Sequence, residues 1–438
     1  MCTVFFQTFG CKVNQAETAS LSNEFCQRGY EIVNNVCDAD VIFINTCTVT
    51  HRSDAKCRHT IRKFNKINPQ ATIIVAGCYA QVSWKDISTI KGVDYILGVQ
   101  DKFKLFDYFR KPGKKNPPVI IVHPIETVTE TESKEGYFPN RTRALVKIQD
   151  GCNQMCSYCI VPFTRGRARS VSDDEVIHQF KNLIIQGYKE IVLTGVHIGK
   201  YGEERKEKDS LATLLEKIIK IPHLGRIRLS SIDSVDITDR LISTVADSDK
   251  ICNHFHIPLQ SGSDKILKLM NRPYTVKEYL DTIEAIVSKF DTIGLGTDII
   301  TGFPGESKND FKNTFELITE VPFTYLHVFP FSLRKLTKAY SMKKKIDPAV
   351  TLKRAKTLRK LGSEKKEHFF SQWIGETIKV LFESRNINGT IKGLSSEYIP
   401  VRVKFQDELI NSFALVKIRK MKNNYLTGTI TKKYNNKN

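Results

Sequence analysis

At 438 residues, 41% of them hydrophobic, the chain is long enough for roughly two to four packed domains and too apolar for a disordered one. Its net charge of +20 is not explained by any fold and points to an anionic partner, nucleic acid or a membrane surface, with a merely solvated basic surface as the plain alternative. No uninterrupted apolar run approaches a membrane span, and Met1–Phe6 lacks the basic leader of a signal peptide, so the expectation is a cytoplasmic protein without a membrane partner.

The first part of the chain alternates short apolar runs with helical spacing. Val4–Thr8, Val41–Asn45 and Ala71–Ala76 read as strands, Val41–Asn45 of the buried parallel kind. Helical patterns cover Ala16–Gln27 and Ala55–Asn65. Gly92–Gly98 reads as a further edge strand and Lys102–Phe109 as a closing helix, which together predict a flavodoxin-like doubly wound sheet over residues 1–112. Three cysteines directly follow three of these strands: Cys11, Cys47 and Cys78. The C-terminal strand ends of a parallel sheet converge on one edge, so these thiols can share a site and hold an iron–sulfur cluster with one open iron; unrelated buried cysteines are the alternative. Of the eleven cysteines, Cys2, Cys26, Cys37, Cys57 and Cys252 stand outside any motif and read as packing residues.

Lys111–Pro118 has linker composition, and the polar stretch that follows extends a linker over 113–138. A central domain over 139–370 repeats strand then helix: Arg143–Ile148, Glu190–Gly195, Arg226–Ser231, His254–Leu259, Ile293–Ile300 and Tyr325–Phe329. Six such strands fit a partial, open (β/α)6 barrel better than a closed eight-stranded one.

After the first of these strands, Gly151 opens a sharp turn into Cys152, Cys156 and Cys159, a C-x3-C-x2-C array at a strand's C-terminal end, where βα folds place their chemistry. A closed zinc site wants four ligands, whereas three thiolates on a cubic cluster leave one iron free for a substrate or cofactor. Three buried cysteines or an incomplete zinc knuckle are the plainer readings. Arg165, Arg167 and Arg169 lie just beyond and are candidates for a cofactor carboxylate or RNA phosphate.

A helix over Pro348–Phe370 closes this domain, with ten Lys and Arg against two acids between Lys343 and Lys366. Residues 371–438 change to short β-rich runs, Glu376–Phe382, Tyr398–Phe405, Phe413–Ile418 and Tyr425–Ile430, which predict a small antiparallel barrel. Its twelve Lys and Arg against five acids, interleaved with aromatic residues, suit single-stranded RNA.

The Cys152–Cys159 array, with Tyr158 before its last cysteine, resembles the signature of radical S-adenosylmethionine (radical SAM) enzymes. Together with the three N-terminal cysteines and the basic C-terminal module, it makes the whole chain resemble the methylthiotransferases, whose C-terminal module is the TRAM domain. Thr8–Glu17, Asn45–Thr50, Gly77–Gln81 and Gln149–Asn153 are most similar to the branch acting on N6-threonylcarbamoyladenosine in bacterial tRNA. The resemblance implies two 4Fe-4S clusters, one on Cys152, Cys156 and Cys159 that cleaves S-adenosylmethionine reductively, and an auxiliary one on Cys11, Cys47 and Cys78 that presents a sulfur for transfer to C2 of the adenine next to the anticodon. It further implies an electron donor and a sulfur source as partners. With Tyr158, four strand-end residues are candidates for holding the cofactor: Gly195, Ser231, Gln260 and Asp298. No role is assigned to His197, His254 or His256.

A methylthiotransferase of isopentenyladenosine in tRNA or of a ribosomal protein, and a non-catalytic iron–sulfur RNA-binding protein, are the competing readings. One departure from the family pattern is Leu336 in Arg334-Lys-Leu-Thr337, where a glycine is usual, which questions the local turn.

Overall fold

The computed structural model describes residues 1–131, 136, 141–206 and 208–434. Residues 132–135 and 137–140, which hold part of the expected linker and the start of the expected central domain, lie outside the described residues, as do 207 and 435–438. The N-terminal unit runs β1 (Thr3–Thr8), α1 (Lys12–Gln27), β2 (Glu31–Ile32), β3 (Val41–Thr46), α2 (His51–Ile67), β4 (Thr72–Gly77), α3 (Cys78–Ser88), β5 (Val93–Leu97), a one-turn α4 (Leu105–Tyr108) and β6 (Val119–Ile121). All six strands are parallel, in the order β2-β1-β3-β4-β5-β6. β3 and β4 are buried at every position because helices cover both faces. Ile42, Ile44, Ile73 and Val75 pack with Ile61 and Phe64 of α2 on one side, and Val41, Phe43 and Ile74 with Leu21 and Phe25 of α1 on the other.

Two expectations change here. Gly92–Gly98 is not an edge strand, because Val119–Ile121, from the stretch read as linker, pairs beyond it as β6. Three residues between prolines and polar residues carry too short a period to read. The helix expected over Lys102–Phe109 is a 3-10 turn, Asp101–Lys104, running into the single turn of α4.

The central unit comprises β7 (Arg143–Asp150), α5 (Val161–Arg165), β8 (Arg169–Ser170), α6 (Asp173–Ile185), β9 (Glu190–Gly195), α7 (Ser210–Ile218), β10 (Arg226–Leu229), α8 (Asp239–Ala246), β11 (His254–His256), α9 (Asp264–Leu269), α10 (Val276–Val287), β12 (Gly294–Thr301), α11 (Lys308–Glu320), β13 (Tyr325–Pro330) and α12 (Pro348–Ser371). Six strands run parallel as β7-β9-β10 and β11-β12-β13, the two halves joined by a bridge from Ile227 to Ile251. This is the expected partial (β/α)6 barrel. Ala144, Val146, Ile148, Ile191, Leu193, Ile227 and Leu229 point outward into the helices' apolar core, so the alternate residues line the lumen. The lumen is polar: His254 and His256 both bond Tyr325 Oη, at 2.8 and 3.0 Å. Helix α1 of the N-terminal unit packs against β7 and β9 on this inner side, where Glu17 meets Lys147 at 3.6 Å.

The C-terminal unit, β14 (Thr377–Ile387), β15 (Thr390–Ser395), β16 (Pro400–Lys404), β17 (Phe413–Lys422) and β18 (Tyr425–Lys433), closes into a five-stranded barrel. Its core is Val380, Phe382, Ile391, Val401, Val416 and Leu426. β15 went unread because Lys392 and Gly393 interrupt its apolar alternation. One pairing, β16 with β18, is parallel, so the barrel is not antiparallel throughout.

This small barrel docks on the N-terminal ends of the central strands. Arg226 donates to Leu394 O, and Arg228 to Ser395 O and Ser396 O, all at 2.8 Å. Tyr398 lies against His254, ring centroids 4.8 Å apart. Both arginines also hold the buried Glu190, at 2.6 and 3.0 Å, and although burial opposes its charge they keep its carboxyl far below the usual range.

Candidate active site

Cys11, Cys47 and Cys78 stand at the C-terminal ends of β1, β3 and β4, which are neighbours in the sheet. Cys11 stands at the N-cap position of α1 with its thiol making no capping bond, and Cys78 begins α3. Gly10, with φ +96°, lets the chain pass close by: a Cβ there would meet Cys47 Cβ at 2.7 Å and its sulfur at 2.9 Å. Burial, then the neighbouring Cys78 and Cys11, push the Cys47 thiol up to about 12. Burial likewise raises the Cys11 thiol, although the charge of Arg165 works against it, and a bound cluster would supply the positive charge that stabilises such thiols as thiolates.

The second set lies at the C-terminal end of β7. Gly151, φ +70°, turns the chain where any Cβ would strike Arg167 O. The loop is then pinned by Ser157 N–H to Met270 O at 2.8 Å and by the Asn271 side chain, which donates to Gln154 O and Met155 O. Cys159 is pushed up to about 12 by burial, then by Cys156 and Cys152. Donors already face the sulfurs: Gln154 N–H lies 3.4 Å from Cys152 Sγ, and Arg272 Nη1 lies 3.4 Å from Cys156 Sγ. Both three-thiol sets, with donors of this kind around the second, fit iron–sulfur clusters.

Between the two sets runs a buried chain of charge. Arg165, at the end of α5, bonds Glu17 and Asn14 of α1 and Asp150 of β7. Its charge acts on both Cys11 and Cys78. Lys102 reaches the same Glu17 at 2.6 Å. One carboxylate therefore ties the N-terminal sheet to the loop of the second cysteine set.

Residues 3–98 match the Uncharacterized protein family UPF0004, 146–318 the Radical SAM superfamily and 372–431 the TRAM domain. The chain is 39% identical over 425 residues to threonylcarbamoyladenosine tRNA methylthiotransferase MtaB of Bacillus subtilis, covering 96% of this chain and 94% of the relative. The chain belongs to the radical SAM methylthiotransferases.

The protein of the same name from Aquifex aeolicus is 36% identical, with 91% and 96% covered, and the tRNA-2-methylthio-N(6)-dimethylallyladenosine synthase of Clostridium tetani is 34% identical, with 88% and 86% covered. The radical S-adenosylmethionine methyltransferase TsrM of Kitasatospora setae superposes with a TM-score of 0.56 at 13% identity over 78% of this chain and 77% of that one, a likeness of fold alone.

The remaining expected residues of this methylthiotransferase fall in different places. Tyr158 is packed under the cysteine loop against Phe303, Ile266 and Met270, and burial drives its hydroxyl pKa up. Gly195 lies against Gln149, whose carbonyl a Cβ would meet at 2.9 Å. Ser231 is exposed after β10. Gln260 is held at φ +67° with its N–H on Asp298 O. The side chain of Asp298 accepts from His256 at 2.8 Å and lies 3.2 Å from His327 Nδ1, and although burial opposes its charge the two imidazoles keep it well below the usual carboxylate range. His256, left without a role above, is thus the partner of a candidate cofactor residue.

Two expectations are corrected. Arg165 and Arg169 are buried, 2% and 3% exposed, Arg165 bonded to Glu17, Asp150 and Asn14 and Arg169 donating to the carbonyls of Arg165 and Arg167 with Asp150 at 3.8 Å, so neither reaches the surface to meet an RNA phosphate. Arg167 alone of the three is exposed. Cys57 and Cys252 are buried as expected of packing residues, but Cys2, Cys26 and Cys37 are exposed, because they sit before a first strand, on an outer helix face and in a surface turn.

Sequence reasoning passed over Arg272 and dismissed His197. Arg272 pairs with Asp233 at 2.6 Å while touching Cys156. His197 lies 3.7 Å from Cys152 Sγ and 2.7 Å from Asp236, and although burial opposes its charge, Asp236 and Cys152 raise its pKa to about 10. Their one legible signal is position in strand-end loops of the barrel.

Proposed function

We propose that this enzyme methylthiolates C2 of N6-threonylcarbamoyladenosine next to the anticodon of tRNA in the cytoplasm. The observation that carries the reading is the buried Arg165 link, which holds two three-cysteine sets on either side of one domain interface. The name shared by several relatives at 34 to 39% identity supports this nucleoside. The relatives named for dimethylallyladenosine, at 33 to 34%, keep isopentenyladenosine as the second reading.

Cys152, Cys156 and Cys159 would hold the cluster that binds S-adenosylmethionine, and Cys11, Cys47 and Cys78 the auxiliary one. When bound, these groups supply the radical, the sulfur and the methyl group that an aromatic C–H bond needs, since it offers no acidic proton and no leaving group. The chain's own part is to position. Arg272 and the Gln154 N–H donate to cysteine sulfur, Tyr158 supports the loop from below, and Glu17, Asn14 and Asp150 lock Arg165 between the sites. An electron donor and a sulfur source complete the reaction.

Nucleosides from tRNA of a deletion strain, measured by mass spectrometry, test the reading. Loss of 2-methylthio-N6-threonylcarbamoyladenosine with accumulation of its precursor is expected. Loss of the isopentenyl counterpart instead would move the assignment to the second nucleoside.

A further inference from the structure

Where the three units meet, a cavity of about 410 Å³ opens between α1, the inner face of β7 and β10, and the C-terminal barrel. That is within the range of roughly 300–1,000 Å³ typical of small-molecule sites. Its wall carries Lys12, Arg141, Arg143 and Arg228 against the single carboxylate of Glu383, and Arg141 already donates to Gln15 Oε1 at 3.5 Å. Glu383 is already bound to Arg143 at 2.8 Å, and Arg228 is held by Glu190 and two backbone carbonyls. The ammonium of Lys12 has no hydrogen-bond or ion-pair partner among the described residues. The cavity therefore offers one uncommitted cation beside a polar wall formed by Gln15 and Tyr398. An uncommitted, half-buried cation facing an enclosed space is stabilised by an anionic ligand and penalised by a hydrocarbon one.

Its place in the chain says which part of a substrate it meets. Lys12 directly follows Cys11, a proposed ligand of the sulfur-presenting cluster, and both sit at the start of α1. In adenine, C2 and C6 both flank N1, so a sulfur donor reaching C2 and a substituent carried on N6 approach the same edge of the ring. The threonylcarbamoyl group ends in a carboxylate, whereas an isopentenyl group is wholly apolar.

We propose that Lys12, backed by Arg143, is the residue that selects the nucleoside by pairing with the threonyl carboxylate. This rests on the threonylcarbamoyladenosine reading above and adds how the site enforces it. A site built to pair a substrate charge rejects the analogue lacking it far more strongly than an apolar pocket rejects a misfit.

The test uses reconstituted full-length enzyme and three synthetic anticodon stem-loops, carrying threonylcarbamoyladenosine, its neutral methyl ester, or isopentenyladenosine. Affinity and methylthio product are both measured, with iron content confirmed in each variant because Lys12 adjoins Cys11. The wild type should bind the acid about 10- to 100-fold more tightly than the ester, the range expected of a charge-assisted hydrogen bond. Lys12→Gln should remove that difference, and Lys12→Arg should retain it. A Lys12→Gln variant that still distinguishes acid from ester by the wild-type factor overturns the proposal, as does one that weakens acid and ester equally. If the wild type turns over only the isopentenyl stem-loop, the nucleoside assignment itself fails, and that result is distinct from either outcome for Lys12.

Discussion

Arg165 meets Glu17 through both terminal guanidinium nitrogens, Nη1 to Oε1 at 2.9 Å and Nη2 to Oε2 at 3.1 Å, across 148 positions of sequence and two structural units. Glu17 is one turn into the helix that Cys11 begins, and Arg165 closes the short helix that follows Cys159. Buried ion pairs are poor sources of net stability, since desolvation consumes most of the Coulombic gain. What this one fixes is the position of the first cysteine set relative to the second.

Removing it should cost both stability and product. Arg165→Met leaves Glu17 and Asp150 buried with Lys102, Lys147 and the more distant Arg169 as their remaining cations, and losing one partner of such a pair typically costs about 3–5 kcal/mol. Thermal unfolding reads that loss. A displacement of about 1 Å between the centres can lower turnover about 100-fold, so methylthio product should fall much further than 5′-deoxyadenosine release. Equal losses in both products would deny Arg165 a positioning role.

The same pair has a pH signature. Burial raises the Glu17 carboxyl, but Arg165, Lys102 and Lys147 outweigh it and hold the pKa well below the usual range. The folded state thus binds fewer protons than the unfolded chain, where a glutamate titrates near about 4.3. Its stabilisation is fully present above that value and drains away as pH falls through and below it. Urea midpoints at pH 6 and pH 3.5 should therefore fall more in the wild type than in Glu17→Gln.

Much of this site was legible because strand ends are legible. Apolar runs followed directly by Cys11, Cys47, Cys78 and Cys152 place each thiol on an edge that parallel topology then gathers together. Partners across long loops were not. Nothing near Arg165 says that Glu17 will neutralise it, so its charge read as a free phosphate contact. Arg272 and His197 reach the cysteines only because β11 and β9 bring their loops to the same mouth. Leu336 looked like a broken turn for want of glycine, yet it is not among the residues with positive φ, so the turn from Arg334 to Thr337 forms without one. The neighbouring Arg334 instead bonds Thr48 and Asp54, clamping the barrel beside Cys47.

The two cysteine sets should separate by assay. Anaerobically reconstituted enzyme is expected to carry about eight irons, as two four-iron clusters. Replacing Cys152, Cys156 and Cys159 together by Ala should leave about four and abolish 5′-deoxyadenosine formation. Cys11→Ala, Cys47→Ala or Cys78→Ala should still release 5′-deoxyadenosine but yield no methylthio nucleoside. If the triple variant still cleaved S-adenosylmethionine, or if a single N-terminal variant gave wild-type product, the assignment of roles to the two sets would be wrong.

The basic surface of the TRAM barrel should act on tRNA through phosphates. Deleting the whole module is a poor test, since it strips Arg226 and Arg228 of their carbonyl partners and uncovers the base of the lumen. Arg419, Lys420 and Lys422 offer a cleaner one: they are exposed at the end of β17, beside Tyr425, which stacks with Arg402 at 4.3 Å. Each phosphate contact contributes about 0.7 to 0.9 to the slope of log affinity against log salt through counterion release. Converting all three to glutamine should lower that slope by up to about 2 to 3 and weaken tRNA binding most at low salt, while the thermal midpoint holds, because exposed charges carry little stability. An unchanged slope would mean that these charges are only solvated surface, and the docking of tRNA would have to rest on Arg167 and the exposed cations of α12 instead.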